Sequence, residues 1–240
     1  MFRLKQTRFG TNLYGYSHTF TDKKLPSGIP TLPRKILCVT QNYASHDNQH
    51  ESKPAPMIFS KSVESLVDFK EPILLSGNND IHYELELALL IGKWIHVSER
   101  GHNVQECARS VVGLALALDL TKKDMHNKLK ASGGPWEVTK AFDRACPISS
   151  FVHAGPNWWE ESREVKLVID GIVAQQQTTD DMIFTPGELL SLITRSMSLA
   201  PGDIILTGTP MLPKPTRALK KGEKIVASIT EVGEFKTSVM

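Results

Sequence analysis

The stretch His82-Tyr83-Glu84-Leu85-Glu86-Leu87-Ala88-Leu89-Leu90-Ile91 constrains this chain more than any other. Its first half alternates, with His82, Glu84 and Glu86 on one face and Tyr83, Leu85 and Leu87 on the other, which is the period of a β-strand. Its second half, Ala88 to Ile91, is apolar on both faces, so the strand runs into a core. The rise of a strand puts the Cα atoms of Glu84 and Glu86 about 7 Å apart on one face. Neither has a Lys or Arg beside it in sequence. Two carboxylates so close repel unless a cation lies between them, and an oxygen-bound divalent ion is one such cation. The other reading is the solvated face of an edge strand, and this stretch alone leaves both open.

A second carboxylate-bearing run bears on that choice. Gly113 to Leu118 is apolar throughout and ends at Asp119. A carboxylate there is expected to be partly buried, and it must find a cation or take up a proton. Lys122 and Lys123 are near enough in sequence to be that cation, and Asp119 is also placed to cap the next segment. With Glu84 and Glu86, Asp119 would complete an oxygen shell suited to Mg²⁺ or Mn²⁺. Zinc fits less well, because no Cys/His pair has ligand spacing.

The remaining segments predict an α+β chain without βαβ rhythm. Strands are expected at Ile36–Val39, Met57–Lys61, Val165–Ile169, Ile172–Ala174, Ile204–Leu206 and Ile225–Ala227. Asp170-Gly171 marks a hairpin with a mirror-type turn. Helices are expected over Val104–Val112, Thr121–Lys130 and Pro186–Met197. Thr40 to Pro56 is a polar, His- and Asn-rich segment with no periodic face. Residues 1–34 read as an N-terminal leader segment and 35–240 as one catalytic domain. The leader holds Arg3, Lys5 and Arg8 without an acid in residues 1–21. That composition makes mitochondrial targeting the alternative to a cytoplasmic location.

With 28 basic against 26 acidic residues, and no long basic run, the chain is not expected to bind nucleic acid. It has no run of eighteen apolar residues to span a membrane. The three cysteines are widely spaced and read as reduced thiols.

Four further positions carry possible chemistry. Lys140 lies among Trp136, Val138 and Phe142, placed either to meet an anionic substrate or enolate or to lie on the surface over Phe142. His46 and His50 lie in the polar segment, as a general base or as solvated side chains. Thr207-Gly208-Thr209-Pro210 offers hydroxyls and N–H groups to a carboxylate, or simply ends a strand. No nucleophile elbow, phosphate loop or dinucleotide glycine pattern is present.

Taken in order, several stretches resemble the fumarylacetoacetate hydrolase family, in its acylpyruvate hydrolase/oxaloacetate decarboxylase branch. They are Asn42-Tyr43-Ala44-Ser45-His46, His82 to Leu87, Ala117 to Asp124, Gly134-Pro135-Trp136 to Asp143, Cys146 to Ser149, Asp181 to Phe184 and Pro201 to Pro210. The resemblance implies a mixed β-roll fold, a homodimer, and Mg²⁺ or Mn²⁺ held by Glu84, Glu86 and Asp119. It assigns a small keto-acid substrate to Lys140, Thr209, Lys123 and His126, and water activation to His46. The implied reaction is hydrolysis of a C–C bond in a β-diketo acid of acylpyruvate or fumarylpyruvate type, giving pyruvate and a carboxylic acid. Oxaloacetate decarboxylation or keto–enol tautomerisation is the alternative, and a weakly catalytic metal- and keto-acid-binding protein is another.

The chain departs from the family at several points. The Glu that pairs with the loop His is Gln49, with Glu51 two residues on. The family's Thr-x-Arg-Asp is Thr121-Lys122-Lys123-Asp124, and a substrate-contacting Gln is His126. Gln cannot accept a proton at neutral pH, so water activation would fall to His46 alone or to Glu51.

Overall fold

The computed structural model describes residues 11–21, 24–44, 55–75, 77, 80–212 and 216–240. In chain order the elements are β1 (Ile36–Thr40), β2 (Met57–Lys61), β3 (Leu66–Asp68), β4 (Ile81–His82), β5 (Leu85–Ile91), α1 (Val104–Ala108), β6 (Val111–Leu118), β7 (Thr121–Lys122) and α2 (Lys123–Ala131). They continue with β8 (Cys146–Ile148), β9 (Val152–His153), β10 (Glu164–Ile169), β11 (Ile172–Thr178), α3 (Pro186–Ile193), β12 (Ile204–Leu206), β13 (Lys224–Ile229) and β14 (Gly233–Ser238).

The α+β class holds, with the strands in three sheets. The largest runs β2-β1-β12-β5-β6-β8-β3, with β9 also on β6. Its β1–β12 and β3–β8 pairs are parallel and the others antiparallel. A four-stranded antiparallel sheet runs β11-β10-β13-β14, and β4 pairs with β7.

Strand β5 lies inside the large sheet, between β12 and β6, and all seven of its residues are buried. That removes the solvated-edge reading of Glu86. Both faces of β5 and β6 are covered. Leu85, Leu87, Leu89 and Ile91 pack with Leu114, Leu116 and Leu118 in one cluster. Ala88 and Leu90 pack with Ala115 and Ala117 in another. By alternation Glu86 shares the second face, as does Asp119 beyond the end of β6. The small alanines leave room on that face, and the site occupies it.

Three expectations are corrected in detail. The strand from His82 is not continuous: β4 pairs with β7, β5 with β6, and Tyr83-Glu84 forms the joint. The Glu84 carbonyl still accepts the Asp119 N–H at 2.8 Å, so the joint keeps the two carboxylates side by side. The helix expected to Val112 ends at Ala108. Asn103 caps its start, the Ser110 N–H turns back to the Cys107 carbonyl, and β-branched Val111 and Val112 enter β6. The helix from Pro186 ends at Ile193, where Thr194 caps it. The expected hairpin forms, with Asp170 (φ 49°) and Gly171 (φ 80°) both in the left-handed region that a mirror turn requires.

The described part of the leader packs on the domain. Asn12 donates to the Val63 and Leu66 carbonyls, and Tyr16 and His18 are buried. Among the described residues no helix is long and apolar enough to cross a membrane.

Candidate metal centre

Glu84, Glu86 and Asp119 converge: one oxygen from each lies within 4.8 Å of the other two. Glu86 and Asp119 are buried and Glu84 is half-buried. Each is set by its own backbone neighbours. Glu86 points from β5 towards the turn after β12, where the Gly208 N–H donates to its Oε2 at 2.6 Å. Gly208 has φ +95°, and a Cβ there would meet the Asn42 Cβ at 2.8 Å, so a side chain at this turn would disturb the donor.

The cations that face Asp119 are not the expected Lys122 and Lys123. Lys140 is buried rather than on the surface. Its Nζ donates to Glu84 Oε2 at 2.6 Å and Asp119 Oδ2 at 2.7 Å. Lys61, at the end of β2, has a fully buried side chain with Nζ 2.7 Å from Asp119 Oδ1. It also donates to the Ala145 carbonyl at 3.1 Å and to the Lys140 carbonyl. Sequence reasoning missed Lys61; its one signal is that Met57, Phe59 and Lys61 share a strand face. Gln175, on β11, was missed too. It accepts from Leu85 N–H at 2.9 Å and donates to Thr209 Oγ1 at 2.7 Å, tying the two sheets together at the site.

Burial acts to raise the Asp119 pKa, but Lys140 and Lys61 outweigh it and hold the group below its ordinary value. Glu86 goes the other way: burial, Asp119 and Glu84 push its pKa well above the carboxylate range. Three carboxylates face two ammonium groups, which leaves one negative charge in excess when all are ionised. Asp119 Oδ1 has the Lys61 ammonium as its partner at 2.7 Å, and Oδ2 has that of Lys140 at the same distance. Excess charge and an all-oxygen donor set fit a hard divalent cation such as Mg²⁺ or Mn²⁺.

Glu84, Glu86, Asp119 and Lys140 wall a cavity of about 560 Å³. Lys123, His126 and Thr209 also line it, so the structure brings together every described candidate. The Thr209 hydroxyl donates to the Leu85 carbonyl at 2.8 Å, so its proton is already committed. Among the described residues, the buried hydroxyls of Thr40, Tyr43 and Thr121 on the wall have no hydrogen-bond partner. Burial, then Glu86, raises the Tyr43 pKa, so that group is a donor and never an anion near neutrality. His46, with Gln49 and Glu51, lies outside the described residues.

Known proteins resemble this chain in sequence and in fold. Residues 35–240 match the family model described as fumarylacetoacetate (FAA) hydrolase C-terminal. The oxaloacetate tautomerase YcgM of Escherichia coli is 35% identical over 180 residues, covering 73% of this chain and 80% of the relative. A mitochondrial oxaloacetate decarboxylase of Dictyostelium discoideum is 36% identical over 201 residues, 82% of this chain and 89% of the relative. Among solved structures, the fumarylpyruvate hydrolase of Pseudomonas aeruginosa in complex with Mn²⁺ and pyruvate has a TM-score of 0.79 at 28% identity. It covers 93% of this chain and 95% of that one. With its acidic triad on the buried face of a mixed sheet, and with these matches, the chain belongs to the fumarylacetoacetate hydrolase family.

Proposed function

We propose that this chain is a Mg²⁺- or Mn²⁺-dependent enzyme that interconverts the keto and enol forms of a small 2-oxo acid, with oxaloacetate as the leading substrate. The observation that carries the reading is the buried Glu84–Glu86–Asp119 triad with Lys140 set between two of its members. Glu84, Glu86 and Asp119 would hold the metal, which when bound polarises the 2-oxo group and stabilises an enolate. Lys140 keeps an ammonium beside that position. Burial lowers its pKa, but Asp119 and Glu84 more than reverse this, so it stays charged across the working pH range. Lys123 adds a second cation on the cavity wall.

Two relatives named for oxaloacetate chemistry support tautomerisation or decarboxylation over the hydrolysis expected from the sequence. So does Gln49, because tautomerisation needs no activated water. Acylpyruvate hydrolysis stays as the second reading, supported by the fumarylpyruvate hydrolase fold match. The homodimer is part of the proposal, and light scattering on the purified chain checks it. A reducing compartment is also proposed, supported by the free, buried Cys38, Cys107 and Cys146.

The test is to incubate the chain and Mn²⁺ with oxaloacetate, acetylpyruvate and fumarylpyruvate, following enol absorbance, exchange of the C3 protons with solvent deuterium, and pyruvate release. Catalysed exchange or enol loss with oxaloacetate, without cleavage of either acylpyruvate, is the expected result. Cleavage of an acylpyruvate with no oxaloacetate exchange above the buffer rate overturns the reading in favour of hydrolysis.

A further inference from the structure

Resting on that reading, we infer that His126 is the base that moves the C3 proton. The argument starts with its tautomer. His126 Nδ1 lies 3.0 Å from Thr139 Oγ1. Thr139 has already donated its hydroxyl proton to the Trp136 carbonyl at 2.6 Å. A hydroxyl has one proton, so Thr139 can only accept from the ring, and Nδ1 must carry hydrogen. In the neutral ring the lone pair is then on Nε2, and among the described residues Nε2 has no hydrogen-bond partner. Thr139 is fully buried and the ring packs edge-on to Trp136, with centroids 5.0 Å apart. The base is therefore both oriented and held in one tautomer before substrate arrives.

Its surroundings keep it neutral. On its own helix Lys123 and Lys130 fall three residues before and four after, and all three side chains line the cavity. From the other elements, Lys140 and Asp119 face it. Burial, then Lys140, Lys123 and Lys130, lower the His126 pKa below its ordinary 6.5, and Asp119 opposes them weakly. At neutral pH the ring is a free base beside cations that favour a negative substrate.

The step balances without a co-reactant. Nε2 takes a proton from C3. The C–H pair becomes the C2–C3 double bond, and the carbonyl pair moves onto the C2 oxygen. The Nε2 proton then passes to that oxygen, giving the enol and regenerating the neutral ring. In the reverse direction the same nitrogen delivers the proton to C3.

The test compares wild type with His126→Gln and Thr139→Val, in the presence of Mn²⁺ and oxaloacetate at low buffer concentration. His126→Gln is expected to lower kcat by about 10²-fold or more, the usual share of a general base. It should also remove the acid limb of the kcat–pH profile, while Mn²⁺ affinity stays unchanged. Thr139→Val should lower kcat with KM unaltered, since it frees the ring to adopt the other tautomer. A readout independent of turnover is the ¹⁵N spectrum of His126 in the metal-free chain, expected to show a protonated Nδ1 and a bare Nε2 at pH 7. A His126→Gln variant that exchanges C3 protons at the wild-type rate overturns the assignment alone. A wild-type chain that exchanges none overturns it together with the proposed function.

Discussion

Strands β5 and β6 of the large sheet and strands β10 and β13 of the small one are built from similar residues but stand in opposite surroundings. The first pair is buried on both faces, with only Val112 and the joint at Glu84 less so. The second pair alternates buried with half-buried or exposed residues along its length. A carboxylate on the one-sided sheet meets water, and Glu164 and Glu234 do so at no great cost. On the two-sided sheet Glu86 and Asp119 lose that water, and the surrounding cations decide their charge. Burial on both faces is thus what makes this group of acidic residues a candidate metal centre.

The sharpest way to break the comparison is Glu86→Gln, which keeps shape and an acceptor for the Gly208 N–H but removes the charge. Mn²⁺ affinity, read by electron paramagnetic resonance, should fall by more than about 100-fold, beyond the 10–100-fold typical of outer partners. Unaltered affinity would mean that the triad is not the centre.

Next in size is Lys61→Met. Removing one side of a buried ion pair costs about 3–5 kcal/mol, and urea unfolding of the metal-free chain should show it. Added Mn²⁺ should restore part of the loss by supplying positive charge near Asp119. Equal loss with and without Mn²⁺ would make Lys61 a packing residue only.

His18 tests the same side of the sheet by pH. Its Nε2 lies 2.9 Å from the Gly202 carbonyl, and the ring packs edge-on to Phe151. Burial lowers its pKa from 6.5 to about 4. Between those values the unfolded chain binds a proton that the folded chain does not. Its contribution is therefore complete above pH 6.5 and declines as pH falls towards 4, by about 1.4 kcal/mol per pH unit and on the order of 3 kcal/mol in all. His18→Gln should remove this part of the acid slope; an identical slope would show that His18 is not its source.

The smallest effect belongs to the one-sided sheet. Ile172 is 73% exposed at the hairpin, and Ile172→Thr should change unfolding free energy by less than about 0.5 kcal/mol. A larger loss would reveal that this face is covered in solution.

Most of the strands were legible because alternation and unbroken apolar runs report directly on how many faces are buried. The Asp170-Gly171 turn was legible because only a few residue pairs tolerate φ > 0 twice in succession. The helix ends were not. Val104 to Val112 carries apolar residues that suit a helix or a buried strand equally, and pairing with β5 decided for the strand from Val111. Lys140 was read as a candidate with a surface alternative, because sequence neighbours do not reveal a carboxylate delivered from another strand. Lys61 gave no motif at all, since the charge it balances is 58 positions away in the chain.

By itself the sequence determined where most of the strands run, that three carboxylates stand at the ends of two of them, and which family pattern they follow. Those properties depend on local period and residue type. Only the tertiary structure decided that Lys61 and Lys140 flank Asp119, that Gly208 holds Glu86, and that Thr139 fixes the His126 ring. Each depends on groups brought together from distant segments, where a few tenths of an ångström separate a hydrogen bond from a mere neighbour.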